Sequence, residues 1–436
     1  MRVYEPRDLE YLDRRALEAV QLLRLKKVIA CALATPFYSE RLGKVGIRHP
    51  EDLSSLDDLQ KIPFTTKDDL RDTYPYGLLA VDKEKVVRMH ASSGTTGKPT
   101  VIYYDRDDLG RWTHLTHRSL VACGCTSADV FQNMMTYGLF TGGLGLHYGA
   151  EDLGMFVIPS SGGNTRRQLQ LMTDFGTTVV HATPSYMLHL HSQLEAAGIA
   201  PADLALRSAL IGAEPHSEDL RRKIEELFGI DAYNSYGLSE MNGPSVAFEC
   251  TEKSGMHLWE DAYRIEIVDR DSLEPLPDGE VGELVLTNLI RHASPIIRYR
   301  TKDLTRVLPG ACACGRTSRR VDRMMGRTDD MLIINGVNVF PSQIEEVVMK
   351  IPEAGTNYRI VVRKKGTLDE LIVELEVGPE VLTDDTRDLY ALKNRLTDAL
   401  KATISVKPHV EFHEPGQLPV QEGKAIRVVD ERGNLY

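Results

Sequence analysis

Residues 92–99 read Ser92-Ser93-Gly94-Thr95-Thr96-Gly97-Lys98-Pro99, which packs two glycines, four hydroxyls and one lysine into eight residues. How this stretch is built decides what kind of fold carries it. Glycines let backbone N–H groups approach a ligand, and hydroxyl donors with an ammonium beside them suit the oxygens of a polyphosphate. The Walker A loop, which opens a helix, needs four residues between its first glycine and the Gly-Lys-Ser/Thr that ends it. Only Thr95 and Thr96 separate Gly94 from Gly97 here, and Pro99 has no N–H to offer. The loop is therefore expected to close over phosphates as a flap between two strands, not to wrap them at a helix start. A surface hairpin rich in turn residues has the same composition, so the stretch alone leaves both readings open.

The surrounding sequence fits a flap set in an α/β frame. Short apolar runs at 130–134, 155–158, 179–182 and 209–213 alternate with amphipathic stretches such as 219–228. That alternation predicts βαβ units around a parallel sheet, with ligands at the carboxyl ends of the strands. Residues 1–85 read as a helical block. Ala16, Val20 and Leu23 fall at i, i+4, i+7, and Thr65 or Thr66 can cap a helix holding Asp68 and Asp69 in its first turn. After Met241, alternating runs at 263–268 and 280–287 predict antiparallel strands or a small barrel-like part. A boundary is expected at Gly326-Arg327-Thr328-Asp329-Asp330, giving a large domain over 1–328 and a small α+β domain over 329–436. In the latter, 341–350 and 388–402 read as helices, and 358–362 and 371–377 as strands.

Composition narrows the class. A chain of 436 residues calls for more than one core. Its 42% hydrophobic and 26% charged content is that of a globular enzyme. A net charge of −11 argues against a nucleic-acid partner, which would call for a basic patch. No apolar run is long enough for a membrane span, and Met1-Arg2-Val3-Tyr4-Glu5-Pro6 holds no signal core, so a cytoplasmic location is the expectation. Six cysteines, two pairs of them spaced Cys-x-Cys, do not read as a disulfide framework in a chain this long.

Four further segments carry chemistry. Tyr236-Gly237-Leu238-Ser239-Glu240 joins an aromatic to a carboxylate through a glycine turn. The ring can stack on a base, and the carboxylate can hold Mg²⁺ against a phosphate. Arg298-Tyr299-Arg300-Thr301-Lys302-Asp303 ends a basic strand on an acid able to accept from ribose hydroxyls. The boundary segment at 326–330 precedes Met331-Leu332-Ile333-Ile334 and Asn335-Gly336, and Gly423-Lys424-Ala425-Ile426-Arg427 sets a lysine on a loop near the end. Singly, each has a plain alternative: a turn at 236–240, a solvated strand end at Asp303, a hairpin turn at Asn335-Gly336, surface charge at Lys424.

In this order, over residue 86 to the C-terminus, the five segments resemble the adenylate-forming superfamily of acyl-CoA synthetases. Within it the chain is most similar to the phenylacetate–CoA ligase family, whose members have a shortened helical N-terminus. They carry Tyr-Gly-Leu-Ser-Glu, Arg-Tyr-Arg-Thr-x-Asp and Gly-Arg-(Thr/Ser)-Asp-Asp-Met-Leu-Ile. Where that family has Leu-Pro-Arg before the terminal lysine, this chain has Leu418-Pro419-Val420.

The resemblance implies a large α/β domain, a small mobile C-terminal lid and a two-step reaction. A carboxylate attacks the α-phosphorus of ATP, giving an acyl-adenylate and pyrophosphate; the thiolate of coenzyme A then attacks the acyl carbon and AMP leaves. Both steps build negative charge that fixed cations must meet. By position, Ser92, Ser93, Gly94, Thr95, Thr96, Gly97 and Lys98 would hold the β- and γ-phosphates. Tyr236 and the Gly212-Ala213-Glu214-Pro215 turn would flank the adenine, with Gly237 and Ser239 in the same nucleotide site. Glu240 would bind Mg²⁺, Asp303 the ribose, and Arg327 the ribose or phosphate. Lys424 would bridge the carboxylate and the α-phosphate, and the lid would turn about Asp329 to exchange that lysine for a coenzyme A tunnel. The acid pocket would lie at Tyr137-Gly138-Leu139-Phe140-Thr141-Gly142-Gly143, with Tyr137 and Phe140 facing a ring and Gly142 and Gly143 leaving space; core packing of Phe140 is the alternative.

Cys250, His257, Cys312 and Cys314 make a closed set of the kind that holds a structural zinc, with reduced thiols as the alternative. Cys123 and Cys125 read as small buried packing, and His114 and His117 as ordinary helix residues without acidic partners nearby. The expected partners are a small carboxylic acid, ATP and coenzyme A, without nucleic acid or membrane, and by analogy a homodimer. Phenylacetate is the leading acid. Indoleacetate, benzoate, transfer to a carrier-protein thiol, and a non-catalytic nucleotide-binding regulator are the alternatives; intact Glu240, Asp303, Arg327 and Lys424 disfavour the last. Lys424→Ala is expected to lose most adenylation yet keep much of thioester formation from a supplied acyl-adenylate. Equal loss in separate assays of the two half-reactions would count against the swinging lid.

Overall fold

Five short strands bounded by turns pair in parallel, in the order Phe156–Ile158, Val130–Asn133, Val179–Ala182, Ser208–Gly212, Asp231–Tyr236. They are seen in a computed structural model that describes residues 8–92, 98–351, 353–366, 368–378, 381, 386–419 and 427–432. Val179–Ala182 and Ser208–Gly212 are wholly buried, as strands covered on both faces must be. Helices Thr141–Leu153, Thr165–Phe175, Pro184–Ala197 and Glu218–Phe228 lie between them, each stopped by a left-handed glycine. Ala247–Glu249, Met256–Leu258, Arg320–Val321 and Val307–Leu308 continue the sheet antiparallel to nine strands. The alternating stretch beyond them forms a second, antiparallel sheet of Tyr263–Val268, Gly282–Asn288, Tyr299–Thr305 and Gly326–Arg327.

The N-terminal helices are fastened to this second unit by polar contacts. Arg14–Leu33 starts at Asp13, which accepts from the Ala16 N–H at 2.8 Å, and Lys67–Asp72 starts at a Thr66/Asp69 capping box. Gln21 donates to the Glu260 carbonyl at 2.7 Å, Arg14 pairs with Glu260 at 2.9 Å, and Arg24 pairs with Asp261 at 3.0 Å. Buried Arg118 bridges Glu10 and Asp261. Burial alone would push the Asp261 carboxyl up, but the charges of Arg118 and Arg24 outweigh it and hold the group at about 2. His117 does have an acidic partner, contrary to expectation: its Nδ1 lies 2.7 Å from Asp152, brought in by the neighbouring helix. Cys123 and Cys125 are buried with their sulfurs 3.8 Å apart.

Beyond Arg327 the chain enters the hairpin Leu332–Ile334/Val337–Val339. Asn335 and Gly336 take φ of 50° and 85° in its two-residue turn, so the plain hairpin reading of Asn-Gly describes them. Helix Pro341–Met349 follows, then a four-stranded sheet in the order His409–His413, Leu368–Val377, Ala354–Lys365, Val428–Asp430, crossed by helix Thr386–Ile404. The strand expected at 358–362 runs instead over Ala354–Lys365, because cross-strand ion pairs Arg363–Glu370 and Lys364–Asp369 extend the ladder past the apolar stretch.

This small domain is docked. Ser342 donates to the Met325 carbonyl at 2.5 Å, and the Glu345 carboxylate accepts from the Ser217 N–H at 2.7 Å and from the Tyr358 hydroxyl at 2.9 Å. Ile344 and Val348 share one buried cluster with Leu220 and Ile224 of the large domain.

Candidate active site

Strands Arg88–Ser92 and Thr100–Tyr104 pair antiparallel, so the glycine-rich loop joins two strands, not a strand and a helix. Ser93, Gly94, Thr95, Thr96 and Gly97 lie outside the described residues; Lys98 is exposed at the loop's exit. Across the base of the loop, Ser92 Oγ is hydrogen-bonded to Thr100 Oγ1, and Thr100 donates to Glu240 Oε1 at 3.2 Å. Glu240 is buried on the turn Ser239–Met241, where the fully buried Arg291 donates to its backbone carbonyl at 2.7 Å. Among the described residues, Thr100 is the side chain that donates to its carboxylate, which leaves oxygen lone pairs of the kind a hard divalent cation takes.

A cavity of about 220 Å³ is lined by Ala213, Glu214, Pro215, Tyr236, Asp303 and Arg327 among others. The Tyr236 hydroxyl donates to Asp303 Oδ2 at 2.5 Å. Arg327 donates through Nη1 to Asp303 Oδ1 at 2.8 Å, and through Nε and Nη2 to Asp329 at 2.8 and 3.0 Å. Burial pushes the Asp303 carboxyl up, against the pull of Arg327 and the Tyr236 bond. Burial would lower the Arg327 guanidinium, but Asp329 and Asp303 outweigh it and raise it. Burial, with the Asp303 charge, drives the Tyr236 phenol well above its ordinary value. Each Asp303 oxygen keeps a lone pair beyond these contacts, so the group can accept from a ligand hydroxyl while held in place. The Glu214 side chain turns away, accepting from the Ser185 N–H at 2.6 Å and hydroxyl at 3.0 Å at the start of helix Pro184–Ala197.

A second cavity, of about 480 Å³, opens at the carboxyl ends of the parallel strands. Its wall includes Met134, Met135, Phe140, Gly142, His181 and Pro244. Phe140 is half-exposed at the lip, where it precedes helix Thr141–Leu153. Ser239 lines this cavity rather than the smaller one, with its hydroxyl 3.4 Å from that of Thr141. Tyr137 and Gly143 stand behind the wall. The Tyr137 hydroxyl sits between Asn133 Nδ2 and His147 Nδ1, each at 3.1 Å, and a Cβ on Gly143 would meet the Thr136 carbonyl at 2.7 Å. Thr100, Asn133, His181, Ser235 and Pro244 were not singled out in the sequence. For Asn133 and His181 a signal existed, since both lie at or one residue before the carboxyl ends of strands of the parallel sheet.

Ala213, Ser235, Gly237 and Leu238 line both cavities, which therefore share a wall. That wall is thin because Gly237 packs on the chain at 243–244: a Cβ there would meet Pro244 Cα at 2.6 Å and Gly243 Cα at 2.7 Å. A third cavity, of about 450 Å³, runs between the two domains. Tyr186 connects it to the second, and Pro419 and Arg427, which stand on either side of Lys424 in the sequence, both line it. Lys424 itself lies outside the described residues.

Ligand atoms of Cys250, His257, Cys312 and Cys314 all fall within 4.8 Å of one another. The Cys250 and Cys312 sulfurs are 3.7 Å apart and Cys314 Sγ is 3.3 Å from His257 Nε2. A tetrahedron with Zn–S bonds of ~2.3 Å has S···S edges of ~3.8 Å. His257 Nδ1 lies 3.2 Å from the Ser318 hydroxyl, which leaves Nε2 facing the thiols.

Comparison with known proteins is consistent along the whole chain. The model of the AMP-binding enzyme family matches residues 39–289, and that of the AMP-binding enzyme C-terminal domain matches 336–432. The phenylacetate-coenzyme A ligase of Thermus thermophilus is 47% identical, covering 99% of this chain and 100% of the relative. That of Escherichia coli is 46% identical, covering 95% of each. Among solved structures, a 2-hydroxyisobutyryl-CoA ligase in its postadenylation state superposes with a TM-score of 0.92 at 26% identity, covering 99% of this chain and 94% of that one. The same ligase with coenzyme A in its thioesterification state gives 0.71, covering 98% and 92%. No helix among the described residues is long and apolar enough to cross a membrane.

Gly237→Ala should disturb both cavities at once. It is expected to cost about 1–3 kcal/mol of stability, since the added methyl meets backbone on two sides, and to weaken AMP binding at least about 10-fold. Gly110→Ala, in open space on an exposed helix face, should be neutral or stabilising by about 0.5–1 kcal/mol. Thermal unfolding and titration calorimetry with AMP check both.

Proposed function

The chain belongs to the phenylacetate-coenzyme A ligase family of AMP-binding enzymes, and from that premise we propose that it joins phenylacetate to coenzyme A at the expense of ATP. The carboxylate of the acid attacks the α-phosphorus and pyrophosphate departs; the sulfur of coenzyme A then attacks the acyl carbon of the adenylate, and AMP departs with the bonding pair of the broken C–O bond. The observation that carries this reading is the wall common to the two cavities, at Ala213, Ser235, Gly237 and Leu238. An acid in the larger cavity and a nucleotide in the smaller one meet there, without either having to move.

Within that reading the residues divide the work. Asp303 accepts from the ribose hydroxyls, held by Tyr236 and Arg327. Tyr236 and the backbone of Ala213, Glu214 and Pro215 confine the base. The loop from Ser92 to Lys98 covers the outer phosphates, with Ser92 and Thr100 tying its base to Glu240. Glu240 would hold a magnesium ion, which neutralises phosphate charge when bound. Lys424 supplies the cation between carboxylate and α-phosphate, from a loop whose flanks line the interdomain cavity. Asp329, paired with Arg327, is where the lid turns. Phe140 and Gly142 bound the acid, with Tyr137 and Gly143 behind them.

The assay is release of AMP and pyrophosphate with coenzyme A and a panel of phenylacetate, indoleacetate, benzoate and 2-hydroxyisobutyrate. Phenylacetate is expected to exceed benzoate in kcat/KM by at least about 10-fold, since the missing methylene displaces the ring. Failure to trap an acyl hydroxamate with any acid would leave only the nucleotide-binding regulator.

The four-donor cluster supports a structural zinc, because three thiols and an imidazole close the coordination sphere. Elemental analysis of the purified chain should find about one zinc per chain. Cys312→Ser with Cys314→Ser should lose it and lower the melting temperature. Full metal-free stability of the unaltered protein would argue for simple thiols.

A further inference from the structure

The larger cavity holds one polar group whose protonation its neighbours dictate. His181 is the third of four residues in the strand Val179–Ala182 and is the register partner of Asn133 on the adjacent strand. The Asn133 amide has a single consistent orientation. Its Nδ2 donates to the Gly143 carbonyl at 2.7 Å, an atom that can only accept, and its Oδ1 accepts from the Met135 N–H at 3.3 Å, a group that can only donate. The same Oδ1 lies 3.2 Å from His181 Nδ1, which must then carry the ring proton. Burial pushes the His181 imidazole down to about 3, so the ring is neutral near pH 7. A neutral ring protonated on Nδ1 has a bare Nε2, which is an acceptor and nothing else.

The two nitrogens of an imidazole face nearly opposite ways. His181 lines the cavity and Asn133 does not, so the ring edge away from Asn133 is the one turned to the acid. Further partners brace this arrangement from behind: Tyr137 accepts from Asn133 Nδ2 at 3.1 Å and is bonded in turn to His147 Nδ1 at 3.1 Å.

We infer that His181 offers a fixed hydrogen-bond acceptor to the acid pocket, and that the pocket favours arylacetic acids carrying a donor on the ring, a hydroxyl or a ring N–H. The inference rests on the ligase reading above and adds the substrate class. A site that leaves a buried acceptor unpaired disfavours a ligand without the matching donor, whereas apolar walls alone discriminate weakly between a hydroxyl and a methyl of the same size.

The test uses the full chain with ATP, coenzyme A, phenylacetate, the three hydroxyphenylacetates and the three methylphenylacetates. At one ring position the hydroxyl compound should exceed its methyl counterpart in kcat/KM by at least about 10-fold. In His181→Phe that hydroxyl-to-methyl ratio should fall to about one or below, and His181→Gln, whose amide oxygen can accept, should restore part of it. The ratio is the readout, because a purely structural role would lower both compounds together. Methyl equalling or exceeding hydroxyl at every position of the unaltered enzyme overturns the inference, and this comparison needs no variant to fold. So does a hydroxyl preference that survives in His181→Phe. Turnover of phenylacetate without any hydroxyl preference sinks the inference alone; no turnover with any acid sinks the ligase reading beneath it as well.

Discussion

Asp303 is the point on which the site is assembled. It sits on the four-stranded sheet, accepts from Tyr236 at the end of the nine-stranded sheet, and pairs with Arg327, from which the chain leaves for the small domain. Three bodies of the molecule thus converge on one buried carboxylate. A charge taken out of water has to be met by partners in good geometry or it neutralises. Here two directed bonds meet it, one to each oxygen. Fixing those bonds fixes the angle between the sheets, and with it the width of the cavity between Tyr236 and the turn at 213–215. The linkage reaches further, because Arg327 also donates through Nε and Nη2 to Asp329.

The orientation of the small domain follows from a second set of contacts, independent of the first. Glu345 reaches across the boundary to the backbone N–H of Ser217, the cap residue of helix Glu218–Phe228, while Tyr358 of its own domain holds it from the other side. Burial pushes this carboxyl up in spite of those bonds. Beside this polar contact, Ile344 and Val348 are fully buried in one apolar cluster with Leu220 and Ile224 of the large domain, so the docking face combines directed bonds with shared core packing.

What could be read from the sequence was local. The alternation of apolar runs gave four of the five parallel strands almost to the residue, because each is a short apolar stretch between turns; Asp231–Tyr236, with its polar residues, was not among them. Thr66 and Asp69 gave a cap, and Asn335-Gly336 a hairpin, because those signals act within four residues. The site motifs were visible as motifs, and Tyr236, Asp303 and Arg327 do share a cavity. What could not be read depends on strand register. Asn133 and His181 are 48 positions apart and meet only because their strands are neighbours. Thr100 gives no hint in sequence of touching Glu240, 140 residues on. Glu214 lies in a motif that points to a nucleotide, yet its carboxylate serves a helix start, a competition that only the position of Ser185 reveals. The histidine–aspartate contact at His117 was missed for the same reason, since Asp152 arrives on the next helix.

The lining common to the two cavities is mostly small: Gly237 brings backbone against backbone at 243–244, Ala213 and Ser235 add little bulk, and Leu238 is its one large side chain. The far side of the acid pocket is instead furnished by large, replaceable groups: Met134, Met135, Phe140 and His181. Variation can therefore remodel the larger cavity by exchanging that distant furniture, while the backbone contact at Gly237 stays out of reach of ordinary side-chain substitution. A lineage built this way can diversify its diet without relearning its chemistry.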